Sequence, residues 1–138
     1  MASFLYYGLG EHLGDGTIDV DNDTFNIVLL DSGYSPDRSH ATYADISAHE
    51  LGNGNGYAVG GQALQNVTWS RNDDVSTMDA DDPVWTGATF DAAYAAIYDA
   101  TSANDVLVSL IDFGGTKSVS TGTFTVQLST DGIFTVGD

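Results

Sequence analysis

Hydrophobic and polar positions alternate with a period of two along much of this chain, and this alternation predicts short β-strands. The longest such stretch lies in residues 82–114. It predicts strands at 84–90, 93–98 and 106–113, with a polar turn at 99–105. We therefore expect this meander to form the centre of the fold.

The middle strand of the meander is apolar on both faces. One face would carry Tyr94, Ala96 and Tyr98, and the other Ala93, Ala95 and Ile97. Such a pattern is typical of a strand that is covered on both sides. The alanines also permit a helix over residues 90–100, but the strand patterns on either side favour a sheet.

Weaker patterns precede the meander. Residues 1–14 predict an N-terminal arm with a short helix at 3–13, for which Ser3 is the expected N-cap. A strand is predicted at 24–30, and others at 62–69 and 75–80.

Between these strands, residues 37–59 lack periodicity and are rich in Gly, Asn, Asp, Ser and His. A helical turn near 43–46 is the only local structure that the pattern predicts there. We expect one long exposed loop, and loops of this length in compact domains are usually functional or disordered.

The last segment has the clearest alternation. Phe124, Val126 and Leu128 would point to one side of a strand at 123–129. Asp131-Gly132 is a typical hairpin turn, so the sequence predicts pairing with a strand at 133–136. Eight or nine short strands in 138 residues predict a mainly β, single-domain antiparallel β-sandwich or jelly-roll-like barrel spanning residues 1–138.

The charge balance limits the partners. Twenty acidic residues face only Arg38, Arg71 and Lys117, for a formal net charge of −17. Nucleic acid and anionic membranes both recruit basic side chains, so neither is an expected partner. The acidity is compatible with a high-salt setting, where screening relieves self-repulsion, and equally with an ordinary solvated acidic surface.

Neither a disulfide nor a thiolate metal site is possible, because the chain has no cysteine. The first residues have no Lys or Arg and only a short apolar run, so we expect neither a signal peptide nor a membrane span.

Metal motifs are incomplete. His49-Glu50 begins like the zinc motif H-E-x-x-H, but Asn53 stands where the second histidine is required. Asp19, Asp21 and Asp23 are spaced like calcium ligands, although the glycine and the glutamate that complete an EF-hand loop are missing. A weak divalent site at Asp79, Asp81 and Asp82 stays open, against the alternative of a solvated acidic turn.

Catalytic motifs are also lacking. No G-x-S-x-G elbow or phosphate-binding glycine loop is present, and the acidic residues are too abundant to single out a catalytic pair. We therefore expect a non-enzymatic protein without a cofactor or metal. Trp69 and Trp85 suit a core or an oligomer interface better than a sugar-binding surface.

The order of several segments resembles a family of small virion structural proteins of tailed phages. The segments are ASFLYYG, DGTIDVDNDTFNIVLLDS, DADDPVWTG, AAYAAIYDAT, LIDFGG and GTFTVQLSTDGIFTV. The resemblance spans nearly the whole chain, but it consists of strand and turn patterns and carries no catalytic residue.

The resemblance implies a head decoration or cement protein that binds the outside of a capsid, is assembled in the host cytoplasm and resides in the virion. Its partners would be the major capsid protein and copies of itself, and its fold β-rich and often jelly-roll-like. Residues Phe4, Leu5, Tyr6 and Tyr7 would then contact a neighbouring subunit, or else cap their own core. The alternatives are a tail or baseplate component and a carbohydrate- or receptor-binding module.

Overall fold

The computed structural model describes residues 3–137 and is mainly β, with 47% strand and 10% helix. The elements, in chain order, are β1 (Phe4–Leu5), α1 (Leu9–Asp15), β2 (Phe25–Leu30), two 3₁₀ turns (Tyr43–Asp45 and Ser47–His49), β3 (Gln62–Ala63), β4 (Thr68–Asn72), β5 (Val75–Asp79), β6 (Val84–Asp99), β7 (Leu107–Thr125) and β8 (Phe134–Gly137).

The strands form two antiparallel sheets. The larger sheet has the order β1-β7-β6-β2-β3, and the smaller has the order β4-β5-β8. Over residues 3–137 neither sheet closes on itself, so the fold is sandwich-like and no barrel is formed.

The larger sheet has an apolar cluster on each face. One cluster joins Phe25, Ile27 and Ile97 to Met78 and Phe134 of the smaller sheet. The other cluster lies on the opposite face, under the segment that follows β2, and its members include Tyr6, Val28, Leu30, Tyr34, Ile46, Ala96 and Tyr98. The prediction that the middle strand is covered on both sides is therefore confirmed, and the helical alternative at 90–100 is wrong.

The central meander is a single long hairpin. The predicted strands 84–90 and 93–98 are one strand, β6, because bulges and Gly87 at φ 57° absorb its irregularities without ending it. The chain reverses after Asp99, as predicted. It then continues in β7 beyond Phe113 to Thr125, because Gly114 and Gly115 adopt positive φ and bend the strand instead of terminating it.

The N-terminal segment differs from the prediction of a helix over residues 3–13. Phe4–Leu5 pairs with β7, and the Ser3 hydroxyl accepts a hydrogen bond from the Asp112 amide at 2.9 Å, so Ser3 caps no helix. The helix begins only at Leu9, with Gly8 at its N-cap. These residues pair with the backbone groups at the edge of β7. Such pairing between residues far apart in sequence cannot be predicted from local propensity.

The predicted strand 62–69 is divided into β3 and β4. Asn66 adopts φ 55° between them, and this left-handed conformation ends the extended backbone. The segment 37–59, predicted as an exposed loop, is packed in part. The first 3₁₀ turn lies where the helical turn was expected, the second follows it directly, and Ile46 and Tyr57 are buried.

The C-terminal prediction is correct in its faces but wrong in its strand and its pairing. Instead of a separate strand at 123–129, β7 ends at Thr125 and residues 126–129 are not in a strand. Phe124, Val126 and Leu128 are buried, as expected. Gly132 does reverse the chain, but β8 pairs with β5 of the smaller sheet and not with the preceding segment. The turn therefore passes the chain from one sheet to the other instead of closing a hairpin.

Candidate interaction surface

A polar cleft of about 530 Å³ lies where the N-terminal segment meets the segment after β2. Its lining includes His40 and His49, two of the three histidines, and Arg38, one of the three cationic residues of the chain. Tyr7 forms its rim.

Tyr7 and Arg38 form a fixed pair at this rim. The Arg38 guanidinium lies 4.9 Å from the centroid of the Tyr7 ring and 5.6 Å from that of Phe4, within the range of cation–π contacts. The Arg38 Nε donates to the Leu5 carbonyl at 3.1 Å, and the Tyr7 amide donates to the Arg38 carbonyl at 2.9 Å. With 68% of its surface exposed, Tyr7 is the most exposed large apolar side chain among residues 3–137.

The four predicted contact residues thus have different environments. Tyr6 is only 2% exposed, so its ring belongs to the protein's own core. Phe4 and Leu5 are half-buried in β1, and Phe4 packs edge-on against Tyr6 with ring centroids 5.3 Å apart. Of these residues, only Tyr7 presents most of its side chain outward.

A chain of hydrogen bonds supports the cleft from below. The Tyr6 and Tyr34 hydroxyls are 3.1 Å apart, and the Tyr34 hydroxyl is 2.9 Å from His40 Nδ1. Burial raises the pKa of both tyrosines, with the Tyr34 hydroxyl adding to the effect on Tyr6. Tyr34 is buried, so this network holds the segment in place and offers no reactive hydroxyl at the surface.

The carboxylates of Asp37 and Asp45 in the cleft accept hydrogen bonds from residues close to them in sequence. The hydroxyl and amide of Ser39 hydrogen-bond to Asp37 and lower its pKa. The amides of Ala41 and Thr42 likewise donate to Asp45 and lower its pKa. These bonds shape the loop and keep both groups ionised.

Arg38, by contrast, has no carboxylate within ion-pair distance in the described part of the chain. Its guanidinium is oriented by an aromatic ring and a carbonyl, so its remaining donors point to no acidic partner of their own. An exposed aromatic ring beside an arginine with spare donors is typical of the side chains that dominate protein–protein contacts.

The acidic residues considered as metal ligands do not converge. Asp79 accepts from the Ala80 amide, Asp81 from the Asn66 side chain, and Asp82 from the Leu128 amide. No group of three or more His, Asp or Glu side chains in residues 3–137 is arranged to hold a metal ion. The same residues contain no helix long and apolar enough to cross a membrane.

The chain matches no protein-family model, and no curated protein or solved structure is significantly similar to it.

Sequence reasoning missed the structural role of Glu50. Its carboxylate accepts hydrogen bonds from the Tyr43 and Tyr57 hydroxyls and from the Gly60 amide, the last at 2.8 Å. Burial, and then Glu50 itself, raises the pKa of both tyrosines. A glutamate beside His49 had suggested only an incomplete zinc motif, and no periodic signal marks its partners.

The two tryptophans lie mainly inside the protein. Trp85 is 6% exposed and stacks on Tyr57, with ring centroids 6.2 Å apart. Trp69 is half-buried and lies 5.8 Å from Phe134. The core interpretation is confirmed for Trp85, which is not placed to form a sugar-binding surface.

Proposed function

We propose that the protein is a non-enzymatic virion structural protein, most specifically a head decoration or cement protein that binds the outside of a tailed-phage capsid. The resemblance of its segments to such proteins supports this proposal. A jelly-roll-like form of the sandwich, as in that family, is part of the proposal.

The observation that carries the proposed contact is the rigid Tyr7–Arg38 pair. A side chain that is already fixed in the free protein loses little conformational entropy on binding, so its buried area contributes more fully to affinity. Backbone hydrogen bonds and the pairing of β1 with β7 fix the segment on which Tyr7 lies. This arrangement suits a contact that persists in an assembled particle.

The proposed contact is tested by measuring the affinity of the purified protein for capsids assembled without this protein. The Tyr7→Ala variant should bind at least about thirtyfold more weakly, since truncating a contact hot spot costs about 2 kcal/mol or more. Val136→Ala is the control, because Val136 is 49% exposed but lies in β8 of the smaller sheet. Equal binding by wild type and Tyr7→Ala would remove the pair from the contact.

Copy number separates the head from the tail. Quantitative mass spectrometry of purified particles should find the chain at a level near that of the major capsid protein. A handful of copies would favour the tail or baseplate alternative, and absence from the particle would overturn the virion proposal.

A further inference from the structure

Asp99, the last residue of β6, is a fully buried carboxyl group, with 0% of its surface exposed. Its Oδ1 accepts hydrogen bonds from the amides of Thr101 and Ser102, at 3.0 and 3.2 Å. Its Oδ2 is also buried, and no donor in the described residues reaches it. A buried acceptor without a donor is costly, and a charged one is more costly still.

The charged group that faces Asp99 is a second carboxyl, that of Asp23, which lies two residues before Phe25, the cross-strand partner of Asp99. Asp23 lies in the turn before β2 and accepts a hydrogen bond from the Asp19 amide at 3.0 Å. Two ionised carboxylates in contact repel each other, and neither can donate a hydrogen bond. A proton on one of them turns the repulsion into a hydrogen bond.

Within residues 3–137, no Lys, Arg or His side chain pairs with Asp99 to offset this repulsion. Phe25 is paired with Asp99 across the sheet, and the Asp99 amide donates to the Val106 carbonyl. On its own turn Asp99 meets the uncharged Thr101 and Ser102, and Asp23 is the charged group that faces it. Burial first, and Asp23 second, raise the pKa of Asp99 to about 7.

We propose that Asp99 carries a proton on its otherwise unpartnered Oδ2 and donates it to the Asp23 carboxylate, so that this carboxyl pair fastens the turn before β2 to the turn after β6. Two further hydrogen bonds join the same two turns, whose contact we call the junction. The Thr24 amide donates to the Thr101 hydroxyl at 2.8 Å, and the Ala100 amide donates to the Thr24 carbonyl at 2.9 Å. Loss of the proton places two charges beside these bonds and favours opening of the junction.

The sign of the pH dependence follows from linkage. Because folding raises the pKa of Asp99, the native state holds a proton that the unfolded chain has released. The stabilisation is complete below the unfolded pKa of about 3.9 and declines as the pH rises to about 7. Over that interval the unfolding equilibrium constant should increase by up to about tenfold per pH unit.

The test is urea unfolding of the purified protein between pH 5 and pH 8. Asp99→Asn keeps the Oδ1 acceptor and gives Asp23 a permanent donor, so this variant should lose most of the pH dependence and exceed wild type in stability at pH 8. Asp91→Asn is the matched control, because Asp91 is exposed on the same strand, and it should keep the wild-type slope. All three proteins keep the same histidines, so any contribution of the histidines to the pH dependence of stability is the same in each.

Direct titration of the Asp99 carboxyl carbon by NMR in the wild-type protein accompanies the unfolding series, so the test survives if a variant fails to fold. A midpoint near pH 7 supports the proton on Asp99, and a midpoint near pH 4 overturns it. An equal pH slope in wild type and Asp99→Asn also overturns it. The proposal is also overturned if 1 mM CaCl₂ stabilises the wild-type protein at pH 8 but does not stabilise Asp99→Asn, because a cation would then bridge the two carboxylates. The proposal does not depend on the virion function, and the purified protein suffices to test it.

Discussion

Single side chains connect parts of this chain that lie far apart in sequence. The Tyr57 hydroxyl accepts a hydrogen bond from the Leu29 amide at 3.1 Å and donates one to Glu50, while the Tyr57 ring stacks on Trp85. One residue thus links β2, the segment after it and β6. Tyr57 therefore stabilises the fold by accepting a hydrogen bond from a buried amide as well as by burying its ring.

We expect Tyr57→Phe to lower the free energy of unfolding by about 1–3 kcal/mol, because it leaves the Leu29 amide without an acceptor in a buried site. Tyr94→Phe is the control, since the Tyr94 hydroxyl makes no hydrogen bond within residues 3–137. Urea unfolding of both variants measures the difference. Equal losses would show that the hydroxyl of Tyr57 contributes nothing specific.

The pairing of β3 with β2 in the larger sheet requires a glycine where the two backbones come close together. Gly61, just before β3, has φ 73°, and a Cβ there would overlap the backbone carbonyl of Ile27 in β2. Only glycine lets β3 pair with the edge of β2 at this position.

Gly61→Ala should therefore reduce stability by about 2–4 kcal/mol, through strain at positive φ and displacement of β3. Gly10→Ala serves as a contrasting substitution, because Gly10 lies in α1 with open space around its Cα. Alanine there should raise stability by about 0.5–1 kcal/mol. Thermal unfolding distinguishes the two, and a neutral Gly61→Ala would contradict the close approach.

The sequence predicted those elements whose signal is local. Apolar runs bounded by turn residues located β2, β5 and most of β6, and period-two alternation located the buried faces of residues 124–128. These local patterns could not predict that β1 would be a strand or that β8 would join β5, because pairing partners are chosen across the whole chain. For the same reason the Tyr7–Arg38 contact, between residues 31 positions apart, has no local signal.

At the scale of the whole molecule, the charge of −17 opposes compaction. Only three Lys and Arg residues accompany twenty Asp and Glu residues, so the chain can neutralise little of this charge internally. Screening by salt should thus stabilise the native state.

Raising NaCl from 0.05 to 1 M shortens the Debye length to about 3 Å. We expect the thermal midpoint to rise by about 4 °C or more, which corresponds to about 1 kcal/mol for a domain of this size. Choline chloride should act like NaCl if screening is responsible. A midpoint independent of salt would contradict both this prediction and the high-salt interpretation of the composition.

The position of β8 has a consequence for synthesis. Met78 and Phe134 are directly paired between β5 and β8, and both belong to the cluster that joins the two sheets. The smaller sheet therefore cannot be completed until residues 134–137 have left the ribosome, although the β6–β7 hairpin can form earlier. A nascent chain halted before residue 134 would expose the edge of β5 and the apolar face beneath it to chaperones.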